Sequence, residues 1–172
     1  RKVLSPLRHS SVFPVPCRKA LKMETYTEAS AMNFGCTGRK LSRQTWNIMP
    51  KIREVDLYIR RRKLHGRIRE MHPEVVFWAL NNKQPMEHPK RTDEGFDERV
   101  KVLEPVYPHV RKLLESFFTS TNYGQGLVAR DDVLDALAGA VTAAHKPRLK
   151  TLPERPDIDC RGLAMEYVYP VV

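Results

Sequence analysis

The sequence predicts a mixed α/β domain in which helices outnumber strands, and three observations predict it. SRQTWNIMPKIREVDLYIRRRK (42–63) repeats Trp46, Met49, Ile52, Val55, Leu57 and Ile59 at helical three- and four-residue spacings. RIREMHP (67–73) alternates and gives way at once to PEVVFWALNN (73–82), a strand-to-helix switch of the kind that open α/β sheets place at their functional edge. GLAMEYVYP (162–170) closes the chain as a second strand, with Tyr167 and Tyr169 on one face. The 172 residues fit a single domain, 1–172, long enough to bury a core.

Each element has a local reason. SSVFPVPC begins extended, because Pro14 and Pro16 disfavour helix in the residues before them. A helix is expected over 19–34, with Gly35 just past its end. In 42–63, Pro50 starts a second part or kinks the helix, and RRRK at 60–63 complements the C-terminal dipole. The strand of 67–72 is bounded by Gly66 and Pro73; Pro73 and Glu74 are start signals for the next helix. Residues 81–95 form a loop rich in breakers. Two helical segments then fill 96–118, divided near Pro105 and Pro108. A loop is expected at 119–126 and a helix from about 131 to 145, stopped by Pro147. KTLPERPDIDC (150–160) reads as extended. Two strands are too few for a core layer, so further strands must lie in the first 20 residues or outside the chain.

Composition narrows the functional classes. A 41% hydrophobic content without a run of about 18 apolar residues predicts a protein with no membrane span. The opening RKVLSPLRHSS has no apolar core region, so no secretory signal is read there. Cys17, Cys36 and Cys160 are odd in number, far apart and without a CxxC pair. They argue against a disulfide framework or zinc site and for a reducing, cytoplasmic compartment. The six histidines show no paired ligand spacing. Net charge is +10 and uneven: residues 1–92 carry 20 Lys and Arg against 7 Asp and Glu, and residues 93–172 carry 10 against 13. A basic half attracts phosphate backbones, and an acidic half supplies carboxylates.

The carboxylates of interest lie in VARDDVLDALAGAVTAAH (128–145). Asp131 and Asp135 are four residues apart, and Asp132 and Asp135 three, so their charges are helix-surface neighbours and repel. Capping is one explanation: Asp131 suits the N-cap, and acids favour a helix N-terminus. A divalent cation, Mg²⁺ or Mn²⁺, is the other, since both favour carboxylate and water oxygens. Asp135 is too deep for a cap. Ala136, Ala138, Gly139, Ala140, Ala143 and Ala144 suit a helix pressed closely on a sheet. Glu70 sits at the end of the expected strand, sharing a face with His72. If that edge meets the aspartate helix, Glu70, Asp131, Asp132 and Asp135 converge. The bland alternative is an exposed strand-end glutamate.

SSVFPVPCRKAL, GRKLSRQTWNIMPKIREVD, REMHPEVVFWALNN, HPKRTDEGFDERVKVL and ARDDVLDALAGAVTA, with GLAMEYVYP, together resemble the domain of unknown function 429 family of bacteria and archaea. Its members are described as predicted nucleases of ribonuclease-H-like fold. The resemblance implies a mixed sheet flanked by helices, with acids at one edge around divalent metal. It makes Asp132 and Asp135, with Asp131 adjacent, and Glu70 the matching acids. The family's opening aspartate-bearing strand, hairpin and following strand have no counterpart here. The resemblance therefore implies a domain lacking the N-terminal part of its sheet and two metal-binding acids.

Three functions follow from these residues. A metal-dependent nuclease would hold metal through Asp131, Asp132, Asp135 and Glu70, use Asp132, Asp135 and Glu70 in catalysis, and steer nucleic acid with Arg60, Arg61, Arg62, Lys63, Lys90 and Arg91. A non-catalytic nucleic-acid- or nucleotide-binding module of the same fold would bind without turnover. A structural protein would use the charge asymmetry to form a homo-oligomer.

Overall fold

A computed structural model describes residues 1–120, 128–146 and 148–172. Among these the chain is mixed α/β, with six α-helices and one two-stranded antiparallel sheet. It divides into two compact units, residues 10–68 and residues 1–9 with 69–172.

The 10–68 unit is built on two helices. Thr25 and Glu28 form a reciprocal capping box, so α1 (Tyr26–Thr37) begins seven residues later than expected. Residues 20–22 ahead of it make a single 3₁₀ turn. The helix runs through Gly35 and stops at Gly38, whose φ of 71° suits a residue without Cβ. Ser42 caps α2 (Arg43–Arg61) by accepting the Thr45 N–H, and Pro50 lies within this one helix rather than starting another. Its apolar repeat is only partly inward: Met49 and Ile59 are buried, whereas Val55 and Leu57 are exposed. Ala20, Ala29, Leu41 and Met49 form the small core. Asn33 is buried among them, accepting the Cys17 N–H at 2.7 Å and donating to the Arg39 carbonyl at 2.8 Å.

The other unit has a helical core. It contains α3 (Pro73–Leu80), α4 (Asp93–Leu103), α5 (Val110–Thr119) and α6 (Arg130–Ala144), then β1 (Leu149–Leu152) and β2 (Tyr167–Pro170). Val76, Phe77, Phe96, Val100, Leu103, Leu114, Leu134 and Ala138 belong to one buried cluster. Pro73 opens α3 as expected, and Thr92 caps α4 by accepting the Gly95 N–H. The strands pair with Leu149 opposite Pro170 and Leu152 opposite Tyr167. The sheet packs on α3 through Trp78, whose ring meets Tyr169 edge-on at 5.7 Å.

Three expectations change. Residues 67–72 are not a ladder strand: residues 69–72 make one backbone bond to the sheet, from the Val168 N–H to the Glu70 carbonyl. Side chains hold the segment instead, with Arg69 bidentate on Glu166 at 2.7 and 2.8 Å and His72 against the Tyr167 ring. No strand occurs in the first 20 residues. And α6 packs on α3 and α4 as well as β2, so its small residues do not serve a sheet alone. A Cβ on Gly139 would lie 3.0 Å from the Met71 methyl. Most of the expected 119–126 loop, and Pro147, lie outside the described residues.

Candidate functional site: an acidic helix end clamped by lysine

The clamp begins with a glycine. A Cβ on Gly95 would lie 1.9 Å from the Pro89 carbonyl oxygen, so only glycine lets this loop press against the start of α4. Further bonds pin the loop there. Glu98 accepts the N–H groups of Glu87 and His88 at 2.7 and 3.0 Å. Pro89 O accepts the Thr92 N–H at 3.0 Å. Arg99 donates to the His88 carbonyl at 3.1 Å. Lys90 follows directly, and its Nζ reaches α6, 2.9 Å from Asp131 Oδ2 and 2.7 Å from Asp135 Oδ2.

A cation therefore does compensate the crowded aspartates, and it is an ammonium group. Burial by itself would push the Asp131 carboxyl up, but the hydrogen bond and charge of Lys90 outweigh it and hold the group below the usual aspartate range. Burial would likewise lower Lys90; bonds to Asp135 and Asp131 hold it above the ordinary lysine value. Asp131 is not the N-cap. Ala129 occupies that position without a side-chain bond, and Asp131 and Asp132 fall in the first turn. Asp132 is exposed and forms no ion pair among the described residues.

Glu70 does not join the aspartates: among the described residues no group of three or more His, Cys, Asp and Glu side chains could hold a metal. Glu70 keeps solvent access as a residue, so the desolvation that pushes its carboxyl upward is partial. It faces Tyr167, whose phenol is pushed up to about 12 by burial and then by the Glu70 charge. As arranged, these side chains form no metal-holding group among the described residues. Asp131 and Asp135 share the Lys90 ammonium, Asp132 is exposed, and Glu70 acts on Tyr167.

The expected cations separate by unit. Lys90 and Arg91, with Thr92, Phe96, Arg130 and Asp131, line a cleft of about 260 Å³ at the start of α6. Arg130 lies over the Phe96 ring at 4.2 Å and pairs with Asp93 at 2.8 Å. In the 10–68 unit, Arg60 is engaged: Asp56 binds it at 2.9 Å and Arg18 at 2.7 Å. Burial would raise the Asp56 carboxyl, but Arg18 and Arg60 together hold it low. Arg61, Arg62 and Lys63 are exposed and make no ion pair among the described residues.

Sequence reasoning missed two features. Glu74 reads as a helix-start acid, yet it is buried and bonded by fully buried Arg99 at 2.6 Å. Arg99 sits at an apolar-spaced position between Phe96 and Leu103, which was the available signal. The second feature is that Cys17, bonded to Asn33 on α1, lies beside Cys36 and pushes its thiol upward.

A protein-family model described as protein of unknown function (DUF429) matches residues 1–158. The chain belongs to this family. No curated protein and no solved structure matches it. Family membership thus supplies no activity, and the reading rests on the residues. No helix among the described residues is long and apolar enough to cross a membrane.

Proposed function

We propose that the chain binds nucleic acid without cleaving it, chiefly through the 10–68 unit. The carrying observation is charge. That unit has 13 Lys and Arg against 4 Asp and Glu, a net of +9 out of the whole chain's +10. Its three consecutive cations Arg61, Arg62 and Lys63 stand exposed at the end of α2. Arg67 is exposed four residues beyond Lys63. Tyr58 precedes Arg61 and Arg62 by three and four residues, shares their helix face and is 53% exposed. Cations that meet phosphates, beside an aromatic ring on which a base can stack, suit single-stranded nucleic acid. On the other unit, Arg91 is exposed at the cleft beside α6, whereas Lys90 and Arg130 there are engaged by Asp131, Asp135 and Asp93.

A metal-dependent nuclease of ribonuclease-H-like fold is the second reading. One observation favours it: Asp135 Oδ1 is buried without a hydrogen-bond partner among the described residues. One assay separates the readings. Labelled single-stranded and duplex oligonucleotides are incubated with the chain and Mn²⁺, then run on native and denaturing gels. The proposal expects a shifted band and intact oligonucleotide. Cleavage lost in Asp135→Asn would establish the nuclease; neither shift nor cleavage would overturn both.

A further inference from the structure

We propose that Cys17 and Cys36 are an oxidisable thiol pair that closes to an intramolecular disulfide. Eighteen residues separate them in sequence, and no short motif joins them. The fold brings them together. The Cys17 backbone N–H donates to Asn33 Oδ1 at 2.7 Å, which fixes Cys17 beside α1. Asn33 is 1% exposed, so this anchor is internal to the unit. Cys36 follows Asn33 by three residues on the same helix and therefore lies on the same side. The Cys17 side chain lies beside the Cys36 thiol and pushes it above its ordinary value. The Cys17 sulfur also accepts the Ala20 N–H at 3.4 Å, which orients it.

Access is asymmetric in a useful way. Cys36 is exposed and Cys17 half-buried, so an oxidant reaches the pair from the Cys36 side. The neighbouring Cys17 side chain, then burial, then the Cys17 charge push the Cys36 thiol upward, while Lys19 opposes. Once one of them is a thiolate, its partner is already within reach. Cys160, the remaining thiol, belongs to the other unit.

The chemistry balances with a low-molecular-weight disulfide as oxidant. One protein thiolate attacks it, forming a mixed disulfide and releasing one small thiol. The neighbouring protein thiolate then attacks the protein sulfur of the mixed disulfide and expels the second small thiol. Two protein thiols lose two electrons and two protons, and the small disulfide becomes two thiols. In a reducing compartment such a pair is transient and responsive rather than structural.

The test exposes the full chain to glutathione disulfide, blocks remaining thiols with iodoacetamide and weighs the intact protein. The expected product carries one alkyl group, at Cys160, and a non-reduced digest contains the Cys17 and Cys36 peptides joined. Dithiothreitol restores three alkylation sites. Cys36→Ser, a change at an exposed position, abolishes the cross-link and leaves Cys17 as a glutathione adduct or an alkylated thiol. Three alkylations after oxidation, stable glutathione adducts on both cysteines, or a linkage through Cys160 would each overturn the pair.

Discussion

Replacing Lys90 with methionine tests the clamp on the acidic helix. The substitution keeps most of the side-chain length and removes only the charge. It leaves Asp131, whose side chain is 9% exposed, and Asp135, 22% exposed, as neighbouring anions without their cation. Deleting one partner of a fully buried pair costs about 3–5 kcal/mol, and an exposed pair contributes about 0.5 kcal/mol. Lys90 keeps 34% of its side chain in solvent, so its contribution is screened. An intermediate loss of about 2 kcal/mol is expected. The two tryptophans help the assay, because Trp46 lies in the 10–68 unit and Trp78 in the other. Urea unfolding in a Trp46→Phe background therefore reports on the clamped unit alone. The pH dependence follows from the shifts. Asp131 is depressed, so its contribution is present above the ordinary aspartate pKa and fades as pH falls through the lowered value. Lys90 is raised, so its contribution is present below the ordinary lysine pKa and fades as pH climbs through the higher value. The gap between wild type and variant is thus widest around neutrality and closes in acid. Adding Asp131→Asn and Asp135→Asn to the variant should restore at least half of the loss. A gap below about 0.5 kcal/mol at neutral pH, the level of an exposed pair, would refute the clamp. So would a gap unchanged in strong acid.

Three further predictions concern packing. Gly95→Ala forces a Cβ into the Pro89 carbonyl, which is backbone and cannot swing aside. The loss should reach about 3 kcal/mol, read by the same urea titration. Gly139→Ala meets only the mobile end of Met71, and alanine gains about 1 kcal/mol of helix propensity, so thermal unfolding should show an unchanged or raised midpoint. Arg99→Met leaves the Glu74 carboxylate buried without its guanidinium; denaturant unfolding should reveal a loss of about 3–5 kcal/mol, largely recovered by Glu74→Gln in the same chain.

Much of the helical framework was legible because its boundaries carry local chemistry. Ser42 and Pro73 start helices where expected, and Pro105 and Pro108 separate α4 from α5; α4 starts at Asp93, inside the expected 81–95 loop, because Thr92 caps it. Thr25 and Glu28 were an equally readable signal for the start of α1. Alternation at 67–72 misled for a physical reason: it describes extended backbone, and a strand also needs a partner along its length. Here only Glu70 has one in the sheet. The acidic cluster was visible as a set of charges demanding a cation, but the identity of that cation was not. Lys90 lies 45 residues before Asp135, and only the loop folded over Gly95 brings them together. Arg99 with Glu74, and Cys17 with Cys36, are likewise pairs made by tertiary packing. The charge excess was read as an N-terminal property; the fold concentrates it further, into residues 10–68.

The most direct test of nucleic-acid binding is its salt dependence, measured by fluorescence anisotropy with a labelled single-stranded oligonucleotide. Wild type is compared with Arg61→Gln/Arg62→Gln/Lys63→Gln. Each phosphate contact on a single strand contributes about 0.7 to the slope of log K against log salt, so losing three should flatten the slope by about 2. Binding by wild type with a slope that falls by this amount in the variant is the predicted result. Absence of binding at low salt, or an identical slope in both proteins, would contradict it.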